Sequence, residues 1–259
     1  MTIARSCRRL SLIALIGGGY ALLVRPRVIR WGASDDELRE PFPGGELIPG
    51  ARRATATMAV TIEAPPARVW PWLVQMGYDR AGWYSWDLLD NLGRPSAERI
   101  HPEWQSISLG HRMTAMGQAE GSWEVAALEP ESFLGLRASI DLRGRRFDPR
   151  AGHPVHYSDA LWGFKLRELP GGRTRLVVSG YSVLRPRWLF PLLNYLVYEP
   201  THVIMQARQF ANLKRRAEGG GPLARSPAHT EAPGETKEVL ALAADAGPGR
   251  AAARERAHG

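Results

Sequence analysis

The chain has 259 residues, 44% of them hydrophobic, and carries 34 Lys and Arg against 26 Asp and Glu. This length suits one ordinary domain, and much of the +8 charge lies in residues 1–30, which hold six Arg and no acidic residue. A basic excess outside the folded region argues against a nucleic-acid-binding domain, and the single cysteine, Cys7, excludes an intramolecular disulfide and a cysteine-based zinc site.

The first predicted element is an apolar helix. Leu10–Val24 contains no charged residue and is flanked by three Arg on each side. A membrane span usually needs ~20 apolar residues, but Arg side chains at both ends can extend a shorter one. We therefore interpret residues 1–30 as a leader that anchors the protein by a single helix. A signal peptide and a buried helix are the alternatives, although no cleavage site of small residues follows Val24.

The next residues, 31–53, are interpreted as a linker because Pro and Gly recur through them, apart from a brief helix capped by Ser34. A domain over residues 54–217 follows. It opens with a β-branched strand, Ala54–Glu63, and a helix that begins at Pro66. A second short helix is predicted over Ser85–Leu92.

The second half of the domain is predicted to be a run of strands closed by a helix. The helix extends from Arg187 to Arg216, and residues 218–259 lack any periodic pattern and are predicted to be a disordered tail. This order predicts an α+β fold. The predicted strands are Ser122–Leu128, Phe133–Ile140, Leu161–Leu169 and Arg173–Leu184.

Three stretches of sequence carry a resemblance to a known superfamily. They are VTIEAPPARVWPWLVQMG at Val60–Gly77, GWYSWDLLDNLG at Gly82–Gly93 and ERIHPEWQSISLGH at Glu98–His111. With the element order, they resemble the START-like (SRPBCC) superfamily, the polyketide cyclase/dehydrase and lipid-transport-like group. The RWGASDDE stretch at Arg30–Glu37 is similar to a bacterial subgroup with an N-terminal hydrophobic segment.

This resemblance covers Trp31–Ala217 and implies a helix-grip fold. In that fold a curved antiparallel sheet wraps around a long C-terminal helix and leaves an apolar cavity between them. Members bind lipids, sterols, polyketides and other hydrophobic ligands, and some catalyse cyclisation, dehydration or hydrolysis. The resemblance carries over no catalytic residue.

Aromatic side chains beside a few polar groups are typical of a pocket for an apolar ligand. The densest such cluster is Trp83-Tyr84-Ser85-Trp86-Asp87, and the alternative is that these rings only fill the core. The predicted ligand-binding residues are Trp83, Tyr84, Trp86, Trp104, Trp123, Trp162, Tyr181 and His202.

The candidates for acid–base chemistry are Asp87, His101 and Glu103. His101 and Glu103 would point the same way on a strand, but Pro102 favours a solvated turn. No phosphate-binding, dinucleotide-binding or nucleophile-elbow motif is present, and the sequence indicates no cofactor and no metal site.

Two functions remain open. The first is binding or transport of a hydrophobic small molecule by a membrane-tethered domain. The second is an enzyme of the cyclase or dehydratase kind. The uncharged stretch from Trp188 to Tyr198 is predicted to rest on membrane lipid beside the cavity mouth, with a buried helix or a dimer contact as the alternatives. The oligomeric state, the ligand and the side of the membrane are not indicated.

Overall fold

The computed structural model describes residues 18–115, 121–188 and 194–219, and every structural statement below concerns these residues. Seven strands form one antiparallel sheet. They are β1 (Arg52–Arg53), β2 (Met58–Ile62), β3 (Arg112–Met113), β4 (Trp123–Glu129), β5 (Phe133–Asp141), β6 (Tyr157–Leu169) and β7 (Arg173–Arg185). The strand order is β1-β7-β6-β5-β4-β3, and β2 also pairs with β7.

Five α-helices accompany the sheet within the described ranges. They are α1 (Arg25–Val28), α2 (Asp35–Arg39), α3 (Pro66–Val74), α4 (Asp87–Asp90) and α5 (Glu199–Glu218). A π-helical turn, Tyr20–Val24, precedes α1, and a second one, Asn194–Tyr198, precedes α5. The predicted helix from Arg187 to Arg216 therefore starts later as an α-helix, and residues 189–193 of it lie outside the described residues.

The longest pairing in the sheet is the β6–β7 hairpin, which runs in unbroken register from Leu169↔Arg173 to Tyr157↔Arg185. Its turn contains Gly171 and Gly172, both with positive φ, a conformation that glycine adopts without a steric penalty. Alternate residues of a strand face opposite sides of a sheet, so this register fixes which side chains of both strands share a face.

The inner face of the sheet packs against α5. Phe210, Leu213 and Ala217 of the helix are buried with Met58 and Leu176 of the strands. A β-bulge between Val125 and Ala127 interrupts the β4–β5 register, and bulges bend a strand. The curved sheet and its closing helix confirm the helix-grip architecture that the START-like resemblance implies.

Residues 31–53, interpreted above as a linker, pack on the outer face of the sheet. The Phe42 ring meets the Phe133 ring edge-on, with 5.9 Å between centroids, and Ile48 is buried in another cluster. The capping box of α2 places the Glu37 carboxylate against Arg175 of β7, where Nε lies 2.7 Å from Oε1. Regular structure in this segment is thus limited to α2, the 3₁₀ turn Gly45–Leu47 and the two residues of β1, and the residues between them still pack against the domain.

The N-terminal leader is described only from Gly18 onward, so most of the predicted anchor helix lies outside the described residues. Within the described ranges, no helix combines the length and apolar character that a membrane crossing requires. The backbone after α1 joins the domain, because the carbonyl oxygen of Ile29 accepts from Thr57 N at 2.9 Å. The predicted disordered tail lies outside the described residues from residue 220 onward.

Candidate functional site

A cavity of about 850 Å³ lies between the inner face of β5–β7 and the first half of α5. It exists because small side chains lie side by side on the inner face of three strands. Ala138 of β5 is opposite Ala160 of β6, which is opposite Ser182 of β7, and Gly180 is opposite Trp162. Farther along the same strands, Phe164, Leu166, Leu176 and Val178 fill the space beneath Phe210.

Three tryptophans form one wall of the cavity. The Trp162 ring centroid lies 5.7 Å from that of Trp83 and 5.6 Å from that of Trp123. His202 of α5 lies on the other side of Trp162, at 6.4 Å between ring centroids. The structure therefore places these four predicted ligand-binding residues at one cavity.

Tyr181 also borders the cavity, but its side chain belongs to the outer face. It lies between Gly180 and Ser182, and strand alternation directs its ring away from theirs. Its hydroxyl donates to the carbonyl oxygen of Phe42 at 2.6 Å. Of Tyr181, which was predicted to bind ligand, only the backbone therefore borders the cavity.

The structure corrects the placement of Tyr84, which is buried in the core instead of lining the cavity. Its φ of 58° is in the left-handed region, so Trp83 and Ser85 face the cavity while the ring between them turns away. Gln75 Nε2 donates to the Tyr84 hydroxyl at 2.7 Å and Asn212 Nδ2 donates to its carbonyl oxygen at 2.8 Å. Burial raises the pKa of the Tyr84 hydroxyl.

Trp86 and Trp104 are likewise outside the cavity. Trp86 is 45% exposed, and the Arg208 guanidinium lies 5.1 Å from its ring centroid. Trp104 stacks on the His101 ring at 4.2 Å and packs against the main core. Neither ring therefore lines the cavity: Trp86 lies at the surface instead of filling the core, and Trp104 packs against the core from a turn.

The three candidates for acid–base chemistry do not line the cavity either. His101 Nδ1 and Glu103 Oε1 are 3.0 Å apart at the surface, in a turn beside the 3₁₀ helix Pro102–Trp104. Asp87 Oδ1 accepts hydrogen bonds from the backbone and hydroxyl of Ser96 and from Asn91 Nδ2, at 2.6–3.1 Å. Asp87 thus stabilises the loop after α4 through these hydrogen bonds, and its role is to position that loop.

Two carboxylates border the cavity: Glu199, which is paired with Arg25, and Asp90, one turn after Asp87. Asp90 is 7% exposed, and neither of its carboxylate oxygens has a hydrogen-bond partner among the described residues. Burial, followed by the negative charge of Asp87, raises the pKa of Asp90 to about 6. Ser85 lies close enough to oppose this shift, but its one hydroxyl proton is donated to Met205 O at 3.1 Å.

Two glutamines of α5, Gln206 and Gln209, also border the cavity. Gln206 Nε2 donates to Gln209 Oε1, and Gln209 Nε2 donates to the Trp83 carbonyl oxygen, both at 2.8 Å. Neither glutamine is among the residues predicted from the sequence. The available signal is their spacing from His202, Phe210 and Leu213, which places polar groups on the apolar face of the closing helix.

His202 is uncharged at neutral pH. Burial lowers the pKa of its imidazole from the ordinary value of 6.5 to about 4. An uncharged imidazole presents one donor and one acceptor to the cavity, beside the Trp162 ring.

Exposed residues among those that line the cavity mark its mouth. They lie before β2, in α4, in the turn Asn194–Tyr198 and at the start of α5: Thr55, Leu89, Val197, Tyr198 and Thr201. The N-terminal helical segment lies beside them, because Arg25 Nε is 2.7 Å from Glu199 Oε2 and the Tyr20 and Tyr195 rings meet edge-on at 6.2 Å.

A second cavity, of about 670 Å³, has a polar lining. Arg137 and Arg146 border it, and each is paired, with Asp159 and Glu124 respectively. The basic loop around Arg143–Arg150 supplies part of its rim, together with Arg112 and Leu109. None of the predicted site residues lines it.

No protein-family model and no curated protein sequence matches this chain. Several solved structures are similar to it. Protein MLL2253 from Mesorhizobium loti is 19% identical, with a TM-score of 0.37, over 64% of this chain and 99% of that one. The Polyketide_cyc-like protein Cgl2372 from Corynebacterium glutamicum is 16% identical, with a TM-score of 0.28, over 65% and 92% of the two chains.

CalU16 from Micromonospora echinospora is 14% identical, with a TM-score of 0.29, over 66% of this chain and 95% of that one. At these TM-scores the assignment of the fold rests on the strand order and the closing helix, which are described above.

Proposed function

We propose that the protein binds a hydrophobic small molecule, lipid-like or polyketide-like, in the cavity between β5–β7 and α5. The cavity itself supports this most directly. Its volume of about 850 Å³ is in the range of small-molecule sites, and its walls are mainly aromatic and aliphatic with a few polar groups. Such a lining favours an apolar molecule that carries a small polar group.

Native mass spectrometry of the full-length protein, purified from its own cells, tests this proposal. A co-purified hydrophobic molecule, identified after organic extraction, is the expected result. Filling the cavity provides the control, because Ala160→Phe places a large ring between Ala138 and Ser182. Loss of the adduct in that variant supports binding in this cavity. An adduct retained in full would place the ligand elsewhere, and no adduct under any condition would contradict the proposal.

The surroundings of the mouth support a second part of the proposal, that this surface rests on a membrane. The exposed apolar residues around it are Leu22, Leu23, Val24, Leu88, Leu89, Leu196 and Val197. Trp188 is exposed in the segment that leads towards them. Single exposed apolar residues are ordinary, but a group around a cavity opening is typical of an interaction site.

The neighbouring Arg residues and the position of the N-terminal segment favour lipid as the partner of the surface around the mouth. Arg27 and Arg30 follow the apolar residues of the N-terminal segment, and Arg185 and Arg187 precede Trp188. Arg side chains next to apolar and aromatic residues suit an anionic lipid surface. The apolar sequence Leu10–Val24 also ends in this segment, so an anchor there would hold the mouth against the membrane. A ligand would then move between bilayer and cavity without crossing water.

Co-sedimentation with vesicles that contain anionic phospholipid tests the membrane surface. The full-length protein and the double variant Leu196→Ser/Val197→Ser are compared, and Leu109→Ser serves as the control, since Leu109 is equally exposed beside the polar cavity. Weaker binding by the double variant alone is expected. Equal binding by all three proteins would contradict contact by this surface.

One observation favours an enzyme as a second candidate. Asp90 and His202 are titratable groups with shifted pKa values, and both face the same cavity. A carboxyl that titrates near 6 is suited to general acid–base catalysis of the cyclase or dehydratase kind. Asp90 therefore replaces Asp87, His101 and Glu103 as the acid–base candidate. Turnover of the extracted ligand that Asp90→Asn abolishes would establish this function, and ligand recovered unchanged would contradict it.

A further inference from the structure

Three buried polar side chains that line the cavity have atoms without a hydrogen-bond partner among the described residues: both carboxylate oxygens of Asp90, Oε1 of Gln206 and Nε1 of Trp162. Asp90 is 7% exposed and Gln206 is 2% exposed. Buried polar atoms are ordinarily hydrogen-bonded, and leaving one unpaired costs about 1–3 kcal/mol. Several such atoms at one cavity indicate a place where a ligand supplies the partners.

The hydrogen-bond chain along α5 fixes the orientation of the Gln206 amide. Gln209 Nε2 donates to the Trp83 carbonyl oxygen, so Gln209 presents its Oε1 as an acceptor to Gln206. Gln206 must meet that acceptor with its NH₂ group, because a flipped amide would place two oxygens against each other. Its own Oε1 is therefore left as an acceptor that no described residue uses.

Asp90 lines the same cavity as this amide. The Ser85 side chain, close to Asp90, donates to the carbonyl oxygen of Met205, the residue before Gln206. Ser85 and the backbone N–H of Asp90 lie near enough to lower the pKa of the carboxyl in part, but neither forms a hydrogen bond with its oxygens, and the nearby charge of Asp87 is negative. The carboxylate and the Gln206 oxygen are therefore two acceptors in one cavity that lack a donor among the described residues.

We propose that the ligand carries a hydrogen-bond donor on an apolar body: an ammonium group that donates to Asp90 and Gln206, or a hydroxyl that donates its one proton to either of them. The inference rests on the proposed binding function and specifies the ligand class. The tryptophan wall holds the apolar body. A ligand whose polar group is only an acceptor, such as a carboxylate or an ether, is disfavoured at Asp90 and Gln206 because it places an acceptor against two acceptors, and Trp162 Nε1 is the atom that could donate to a ligand acceptor.

Three probes that share a dodecyl group and differ in their polar group test this inference on the full-length protein. They are 1-dodecanol, dodecylamine and dodecyl methyl ether. Dissociation constants are measured by tryptophan fluorescence below the concentration at which each probe aggregates. We expect the alcohol, the amine or both to bind at least about tenfold more tightly than the ether, since hydrogen bonds to a charged acceptor are worth about 1.5–3 kcal/mol. Preference for the alcohol or the amine identifies the donor.

Variants assign the preference to the two residues. For the amine, Asp90→Asn and Gln206→Leu should each reduce the ratio between donor probe and ether to near one. For the alcohol, the substitution that removes its one acceptor should do so, and ether binding should be largely unchanged in both variants. Ser158→Ala is the control. Ser158 lines the cavity from β6, where it pairs with Ile140 of β5, and its substitution should leave the ratio between donor probe and ether at the wild-type value. Circular dichroism confirms folding, and Gln206→Leu preserves the test if Asp90→Asn does not fold.

The outcomes separate this inference from the proposal it rests on. Equal affinity of the wild type for all three probes would overturn donor recognition while leaving hydrophobic binding in place. A donor preference that survives both substitutions would overturn the assignment to Asp90 and Gln206. Failure of all three probes to bind would overturn the binding function and this inference with it.

Discussion

Arg25 and Glu199 are 174 residues apart in the chain, yet they form a bidentate ion pair with distances of 2.7 and 2.8 Å. The pair joins α1 to the first residue of α5, where Glu199 is 5% exposed and borders the cavity. Asn194 Nδ2 also donates to Glu199, so both helical segments at the mouth share one carboxylate.

We predict that Arg25→Ala destabilises the protein by about 1–3 kcal/mol, because it leaves a buried carboxylate without its cation. The value is below that of a fully buried pair because Arg25 is partly exposed to water. Urea unfolding measures the change. Arg39→Ala, which removes the exposed pair with Asp36, is the control and should change stability by less than about 0.5 kcal/mol.

Trp162 and Trp86 should respond differently to an apolar ligand. We predict that Trp162→Phe changes both the affinity and the ligand-induced shift in fluorescence, because the Trp162 ring contacts Trp83, Trp123 and the cavity. Trp86→Phe should change neither, since Trp86 lies outside the cavity beneath Arg208. Equal effects of the two substitutions in a titration with dodecanol would contradict the placement of the site.

The raised pKa of Asp90 predicts a contribution to the pH dependence of stability. Between its ordinary value of 3.8 and about 6, the native state binds more protons than the unfolded state, so the contribution of Asp90 is lost as pH rises through this window. Asp90→Asn removes it. Between pH 4 and pH 7 the free energy of unfolding of the variant should rise by about 2–3 kcal/mol relative to that of the wild type.

Chemical denaturation of both proteins at the two pH values measures this difference. Asp36→Asn, the same substitution at an exposed carboxylate paired with Arg39, serves as the control. A constant difference between Asp90→Asn and wild type would mean that Asp90 is not desolvated in the native state.

His202 predicts a trend of the opposite sign. Its native pKa of about 4 is below the ordinary 6.5, so the unfolded state binds the extra proton between these values and stability is lost as pH falls through them. His202→Asn should therefore be less sensitive than wild type to acidification from pH 7 to pH 4, by about 2–3 kcal/mol. NMR titration of the imidazole provides an independent check, and a pKa near 6.5 would refute the prediction.

The sequence predicts the sheet and the closing helix well because their signals extend over many residues. Alternation along Leu161–Leu169 and Arg173–Leu184 identifies the long hairpin, which the structure extends by a few residues at the ends. The role of residues 31–53 is harder to predict, since Pro and Gly mark the absence of regular structure but do not indicate whether a side chain such as Phe42 is buried.

The site is predictable only where it lies on regular elements. Trp123 and Trp162 lie on strands, and their faces follow from register. Tyr84 could not be placed, because one left-handed φ reverses the direction of a whole side chain and no sequence pattern requires it of tyrosine. Asp87 and Asp90 are alike in sequence, and only the loop that Ser96 closes onto Asp87 distinguishes the anchored carboxylate from the free one.

The two sides of the cavity are held in place very differently. The floor belongs to β5, β6 and β7, where thirteen consecutive residue pairs tie β6 to β7. The mouth is formed mainly by α4, which is four residues long, and by the five-residue turn Asn194–Tyr198, neither of which belongs to the sheet. We therefore expect a ligand of the proposed kind to enter and leave by displacement of these two short helical segments, while no strand separates. Substitutions at the mouth should alter the residence time of the ligand, whereas substitutions on the inner face of the sheet should alter which ligands are bound.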